Sequence, residues 1–431
     1  MELSSILDII VSRSIGFPLE DRVKQALPAG ECVVVSFGKS GLKMAQALEG
    51  STTRVAGGVV VVPHGYPGKP PAGLELVEAS HPVPDEGSLR AGEAVLEWAR
   101  SSRGGCLLAL ISGGGSALVE APVEPVSLED LTEATRLLLA SGASIHEINS
   151  VRKHLSRVKG GRLAEEAHPA RVYGLYASDV PGDRIDSIAS GPTAPDPTTY
   201  RDALAVLRTY NVYDSMPVSV VKVLEEGAQG LRPETPKPGS PVFKGVHNRL
   251  VASNMDVLRL VAQGLEEVGY RAMILTSRLE GESREAGRVI ASITMEAIDR
   301  GLPASPPAAL LLGGETTVHV RNPQGRGGRN MELSVSWAYS MWYWGYRREA
   351  SIVSLDTDGI DGSTDAAGAN LEPVDIDGMR SLGLDPLEAL DQNNTYQALE
   401  AIGKLIRTGP TQINLNSITV VLLKAGRGAG Q

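Results

Sequence analysis

The chain has 431 residues, 42% hydrophobic and 21% charged, which is ordinary globular usage and enough for roughly two or three domains. Its formal net charge of −10 argues against nucleic acid or an anionic membrane as the main partner, so an anionic substrate needs local Lys and Arg. No apolar stretch approaches the ~18 residues of a membrane span, and "MELSSILDIIVSRSIG" shows no basic segment ahead of a long apolar run, so a cytoplasmic protein without a signal peptide is expected.

The first apolar run, "CVVVSF" from Cys32, reads as a buried strand. It is followed by Gly38-Lys39-Ser40 and a helical pattern. A Walker A loop needs a glycine five residues before its Gly-Lys pair, and that position is Val33, inside the strand. The turn is therefore too short for a P-loop, yet a glycine and a lysine after a strand still suit an anion. The strand "GGVVVV" from Gly57 and the helical stretch "DEGSLRAGEAVLEWARS" come next. The strand "CLLALIS" from Cys106 runs into Ser112, Gly113, Gly114, Gly115 and Ser116, where bare backbone N–H groups can form an anion nest. Cys32 and Cys106 lie in apolar runs and read as buried, reduced core thiols without a disulfide or metal role. A helix "SLEDLTEATRLLLASG" begins at the N-cap candidate Ser127. The strand "RVYGLYAS" from Arg171 leads into a loop holding Asp179, Asp183, Asp186 and Asp196. Carboxylates in such a loop suit Mg²⁺, which takes one or two of them beside water and phosphate oxygens.

"GLRPETPKPGSPVF", residues 230–243, has four prolines and no periodicity, and reads as a linker between a domain over 1–240 and one over 241–431. Beyond it, Ser253-Asn254 opens the helix "NMDVLRLVAQGLEEVG", followed by the strand "AMILT" from Ala272 and the helix "ESREAGRVIASITMEAIDRG". The strand "AALLLGGE" from Ala308 delivers Glu315, and the turn "GRGGRN" carries Arg326, Arg329 and Asn330 into another helix. Arginine is the preferred fork for carboxylate or phosphate. "SIVSLDTDG" from Ser351 ends among Asp356, Asp358, Asp361 and Asp365, and "ITVVLL" from Ile418 is the last strand. Near-continuous apolar runs alternating with helical periods predict an α/β chain with mainly parallel sheets.

Clustered glycines, Lys39 and Arg329 as cationic anchors, and two acidic loops fit phosphoryl transfer, in which positioning and charge neutralisation do most of the work. Hydride transfer fits poorly, because no G-x-G-x-x-G with an acid about 20 residues later is present. No G-x-S-x-G elbow supports a Ser-His-Asp hydrolase. His81 and His154 have no His/Cys cluster beside them and read as local hydrogen-bonding residues.

The ordered motifs "FGKSGLKMAQAL", "SHPVPDEGS", "LISGGGSAL", "VRKHLSRVKGGRLA", "SDVPGDRIDSIASGPTAPDPTTY", "GGETTV", "GRGGRNMEL", "DTDGIDGSTDAAGA" and "TGPTQINLN" span residues 37 to 416. Together they resemble the glycerate 2-kinase family, whose C-terminal part is the MOFRL domain. The resemblance implies a Rossmann-like parallel-sheet domain, a second α/β domain of MOFRL type, and an active site in the cleft between them. It implies ATP, a divalent cation such as Mg²⁺, and D-glycerate phosphorylated to 2-phosphoglycerate. Carried onto this chain, it places Lys39, Glu315, Arg329, Asp358, Asp361 and Asn414 in the site; with Asp179 added from the acidic loop after the strand, Lys39, Arg329, Asp179 and Asp358 are expected at the reacting groups. Ser112, Gly113, Gly114, Gly115, Ser116, Asp183, Glu315, Asn330 and Asn414 are then candidates for substrate and nucleotide contacts. Asp179, Asp358 and Asp361 are candidates for the metal, and either Asp179 or Asp358 for the base. The loop "TGPTQINLNS" departs from the family pattern at Gln412, Ile413 and Ser417. The competing reading is an NAD(P)H-dependent hydroxypyruvate reductase. Assembly as a homodimer stays open.

Overall fold

All eight apolar runs form strands in the computed structural model, which describes residues 3–424. In chain order the strands are β1 (Gly30–Phe37), β2 (Thr53–Pro63), β3 (Glu75–Ala79), β4 (Cys106–Ser112), β5 (Arg171–Ala177), β6 (Val246–Ala252), β7 (Arg271–Leu279), β8 (Ala308–Gly314), β9 (Ala350–Asp356), β10 (Gly368–Leu371), β11 (Leu405–Ile406) and β12 (Ser417–Leu423). They build two sheets.

The first sheet has the order β3-β2-β1-β4-β5-β6, with every neighbouring pair parallel. This is the Rossmann order, whose direction reverses between β1 and β4. β4 is buried along its whole length and β1 over its last six residues, as strands covered on both faces should be. Helix starts follow the sequence signals: Asp85, Ser127 and Ser253 each accept a backbone N–H from the third residue on.

The second sheet has the order β11-β10-β9-β12-β8-β7, and only its β7–β8 pair is parallel. The expectation of mainly parallel sheets therefore fails here. A continuous apolar run reports cover on both faces, which the helices provide, but says nothing of strand direction. Helix Arg329–Tyr343 buries Met331, Leu333, Val335, Trp337 and Met341 in the core of this part, and Trp337 donates to Thr294 Oγ1 at 3.1 Å.

The chain divides into two compact units at places other than residue 240. The parallel-sheet unit holds Pro18–Ser178 and Asp183–Ala252; the mixed-sheet unit holds the segment through Phe17, Asp179–Gly182 and the chain from Ser253 onward. The N-terminal helix Leu3–Ile15 packs on helix Asn254–Glu266 of the mixed-sheet unit. The proline-rich segment 230–243 is no linker. Thr235 is buried and donates to Asp196 Oδ2 at 2.9 Å, and Pro236 O accepts from Asp196 N at 3.0 Å. Fixed proline φ angles serve a strap across the parallel-sheet unit instead.

Cys32 and Cys106 are bonded to each other, which corrects the expectation of two reduced thiols. Both are buried, as their apolar runs required. β1 and β4 are neighbours, and the pairing of Val33 with Leu107 puts the two cysteines side by side, with Cα atoms 4.6 Å apart.

Candidate active site

In the parallel-sheet unit the loops after β1 and β4 flank the switch point, where ligands of such sheets bind. They are latched to each other. Lys39 N donates to Gly113 O at 2.8 Å and Ser40 N to Ser112 Oγ at 3.0 Å. Gly38 has φ +115°, and a Cβ there would stand 2.2 Å from Ser112 Oγ, so the two loops meet this closely only over a glycine. Gly114, at φ +79°, lies against Lys39 and His81: a Cβ would meet Lys39 Cγ at 3.2 Å and His81 Cδ2 at 3.1 Å. The Lys39 stem thus runs alongside the Gly113–Ser116 turn. Ser112, expected as a ligand contact, serves the latch. Ser116 Oγ pairs with Ser190 Oγ at 2.7 Å, and Ser190 donates to Asn149 Oδ1 at 3.0 Å. Ala189 and Ser190 hold left-handed φ angles of 48° and 60° while buried, a costly conformation of the kind that clusters at functional sites. Asp183 is a further left-handed residue of this unit, with φ 58°.

The other candidates belong to the mixed-sheet unit. Arg329 opens its helix as expected, but its guanidinium is already answered by acids. Nε and Nη2 donate to Asp356 Oδ2 at 2.9 and 2.7 Å, and Nη1 donates to Glu315 Oε1. Asn330 is buried and spent at both ends: Ser354 Oγ donates to its Oδ1 at 2.7 Å, and its Nδ2 donates to Ser417 Oγ at 3.1 Å. It therefore positions its neighbours. Asp361, also buried, accepts Asn330 N at 3.2 Å on Oδ1 and Met331 N at 2.9 Å on Oδ2. Both oxygens are taken by the helix start, so Asp361 is a cap in this structure.

Asp358 tops the turn after β9, where its Oδ1 accepts Ile360 N at 3.0 Å. That turn is laced to the TGPT loop: Thr411 N donates to Asp358 O at 3.1 Å and Leu415 N to Thr357 Oγ1 at 2.8 Å. The same loop reaches Asp179, whose Oδ2 accepts Asn414 Nδ2 at 3.2 Å and whose carbonyl accepts Asn416 Nδ2 at 2.6 Å. A single hydrogen-bonded cluster thus joins Glu315, Arg329, Asn330, Asp356, Asp358, Asn414 and Asp179. The role of Asp356 was not singled out in the sequence. Its signal was being the last, buried residue of a strand that leads into an acidic turn.

Burial raises the Asp356 carboxyl to about 7, against the pull of Arg329 and with help from the charges of Asp358 and Asp361. Burial also raises Asp361 to about 6, opposed by the N–H groups of Met331 and Asn330. Burial works against the charge of Arg329, but Asp356 and Glu315 outweigh it and keep the guanidinium protonated.

Among the described residues no group of three or more His, Cys, Asp or Glu side chains is arranged to hold a metal ion. Asp361 spends one acceptance on each oxygen at the helix start, and Asp179 and Asp358 also offer the hard carboxylate donors of which Mg²⁺ uses one or two. His154 is a hydrogen-bonding residue as expected; it bonds locally to Ser150 O at 2.7 Å and also to Glu234 Oε1 at 2.8 Å, 80 residues along the chain. A groove of about 650 Å³ lies elsewhere on the mixed-sheet unit, beside Tyr339, Tyr343 and Trp344. Its arginines are already paired, Arg284 and Arg321 with Asp391 and Arg288 with Glu285.

Two family profiles match the chain: a domain of unknown function, DUF4147, over residues 8–225, and the MOFRL family over residues 308–417. A glycerate 2-kinase from Pyrococcus horikoshii is 44% identical over 400 residues, covering 93% of this chain and 89% of its own. A protein from Agrobacterium vitis, provisionally named a hydroxypyruvate reductase, is 43% identical over 403 residues, covering 92% of this chain and 88% of its own. The crystal structure of a glycerate kinase from Thermotoga maritima has a TM-score of 0.85 and 40% identity, covering 98% of this chain and 99% of that one. No helix among the described residues is long and apolar enough to cross a membrane. Likeness of this extent, in sequence and in fold, makes the chain a member of the glycerate 2-kinase family, with a DUF4147 part followed by a MOFRL part.

Proposed function

We propose that the chain transfers the γ-phosphoryl group of ATP to the 2-hydroxyl of D-glycerate, giving ADP and 2-phosphoglycerate. The observation that carries the reading is the latched pair of loops at the switch point, with Lys39 lying along a triple-glycine turn. Such a turn offers backbone N–H groups to phosphate oxygens, and Lys39 adds a positive charge. Arg329 meets negative charge on the reactants from an orientation fixed by Asp356 and Glu315. Glu315 and Asn414 stand beside the reacting groups through that same cluster. Asp179 or Asp358 orients the acceptor hydroxyl and takes its proton late in the transfer. Mg²⁺, when bound, would be held by Asp179 and Asp358 and would neutralise phosphate charge.

The Rossmann strand order also suits a dinucleotide, so the reductase reading is tested directly. Purified protein is given glycerate with ATP and Mg²⁺, and ADP release is followed; in parallel it is given hydroxypyruvate with NADH or NADPH. ADP release that depends on glycerate, without oxidation of either nucleotide, is the expected result. The opposite pattern overturns the kinase reading.

A further inference from the structure

The stretch "VRKHLSRVKGGRLA" has no part in the chemistry above, yet it supplies much of the buried charge of the parallel-sheet unit. Helix Ile145–His154 presents Asn149, Arg152 and Lys153, spaced i, i+3 and i+4 and therefore on one face. Asn149 and Lys153 meet the segment after β5, and Arg152 meets the one after β4. Asn149 accepts the hydroxyl of Ser190 at 3.0 Å, and Lys153 lies 3.4 Å from Asp196 Oδ1. Arg152 Nη2 donates to the carbonyl of Ser116 at 3.0 Å and to Glu120 Oε1 at 2.9 Å. Glu120 is fully buried, and Lys159 Nζ sits 2.7 Å from the same oxygen while also donating to Val119 O at 3.2 Å.

We infer that Arg152 is a positioning residue for the Gly113–Ser116 turn, setting the backbone N–H groups that receive the nucleotide's phosphates. The inference rests on the proposed ATP site and goes one layer beneath it. Three glycines in a row bring no side chains to hold the turn. Besides the latch from Lys39 N to Gly113 O and the backbone bonds of the short helix Gly115–Leu118, two side-chain anchors hold it at Ser116. Ser190 holds the hydroxyl of Ser116 from a strained left-handed turn, and Arg152 holds its carbonyl. A planar guanidinium suits that task because it reaches the carbonyl and Glu120 together. Lys159 and Arg152 share one carboxylate, so the anchor is a buried cation–anion–cation bridge whose members cannot move independently.

The test is calorimetric titration of ATP with Mg²⁺ into the wild-type protein and into Arg152→Ala, Arg152→Lys and the surface control Arg157→Ala. Steady-state kinetics for both substrates run beside it. Arg152→Ala is expected to weaken ATP binding by about 10-fold or more and to raise KM for ATP by a similar factor, with KM for glycerate within about twofold. Arg152→Lys should recover part of the ATP affinity, and Arg157→Ala should match wild type. Unchanged ATP affinity in folded Arg152→Ala overturns the inference, as does an equal rise in both KM values. If Arg152→Ala does not fold, Arg152→Lys decides: ATP binding equal to wild type overturns the inference. Wild-type protein that binds ATP but phosphorylates no glycerate refutes the proposed reaction and leaves the positioning role to the binding data. Wild-type protein that binds no ATP overturns both.

Discussion

Arg329 holds Asp356 by one oxygen: Nε and Nη2 both donate to Oδ2, at 2.9 and 2.7 Å, while Oδ1 is buried without a hydrogen-bond partner. Lysine at 329 keeps a charge but loses the fork, so Arg329→Lys is expected to lower kcat/KM by about 10²-fold. It should also cost about 3 kcal/mol of stability, because a buried carboxylate loses its paired geometry. Adding Asp356→Asn to that variant should restore part of the stability and none of the activity. Urea unfolding and steady-state kinetics read the two effects separately. Unchanged stability in Arg329→Lys would show that the pair does not hold this cluster together.

Gly38→Ala tests the latch at the switch point. The added methyl meets Ser112 Oγ at 2.2 Å and Ser112 O at 2.5 Å, on a backbone with φ +115°. Strain of this kind costs about 1–3 kcal/mol, and parting the loops should lower kcat/KM at least about 10-fold. Thermal melts and kinetics on the same preparation are the check. A fully active Gly38→Ala enzyme would mean that the loops tolerate separation.

The bond between Cys32 and Cys106 closes a loop across 74 residues of sequence. Chain-entropy reasoning gives such a closure about 4 kcal/mol of stability. Denatured but unreduced protein is expected to release no thiol to a colorimetric reagent, and reduced protein to release both. The reduced form should unfold at lower urea. Two reactive thiols in the unreduced, denatured protein would refute the bond.

Burial alone would raise the Glu234 carboxyl, but the hydrogen bond from His154 prevails and takes it down to about 2 from an ordinary 4.5. The unfolded chain therefore binds the proton first, between about pH 4.5 and 2. Stability from this group is present above that window and is lost as pH falls through it. Glu234→Gln should flatten the acid limb of a plot of melting temperature against pH, while leaving its slope above pH 5 unchanged. An acid limb of equal steepness in both proteins would remove Glu234 from the account.

The sequence revealed the central strands and the edge strand β7, and missed β3, β6, β10 and β11. β3 and β6 are half exposed along their length, and β10 and β11 are four and two residues long, so none forms an apolar run. Strand direction in the second sheet was hidden for another reason: β12 enters between β8 and β9, a placement that depends on pairing across the fold. Lys39, the glycine turn and the helix start at Arg329 could be read because each breaks an apolar or helical pattern locally. The acids that hold Arg329 could not, since Glu315 and Asp356 lie 14 and 27 residues away along the chain. The cysteine pair was concealed in the same way.

β12 occupies the middle of its sheet, flanked by β8 and β9, although it is synthesised after both. Until Ser417–Leu423 leaves the ribosome, β8 and β9 each present an unpaired inner edge, and helix Leu3–Ile15 waits for a partner that emerges some 240 residues later. At about 5–20 residues per second, that wait is of the order of 10–50 s. The parallel sheet, completed by Ala252, is finished well before the mixed one. During translation the strand order therefore leaves two inner strand edges without their native partner until the last strand emerges, and unpaired edges are surfaces open to mispairing.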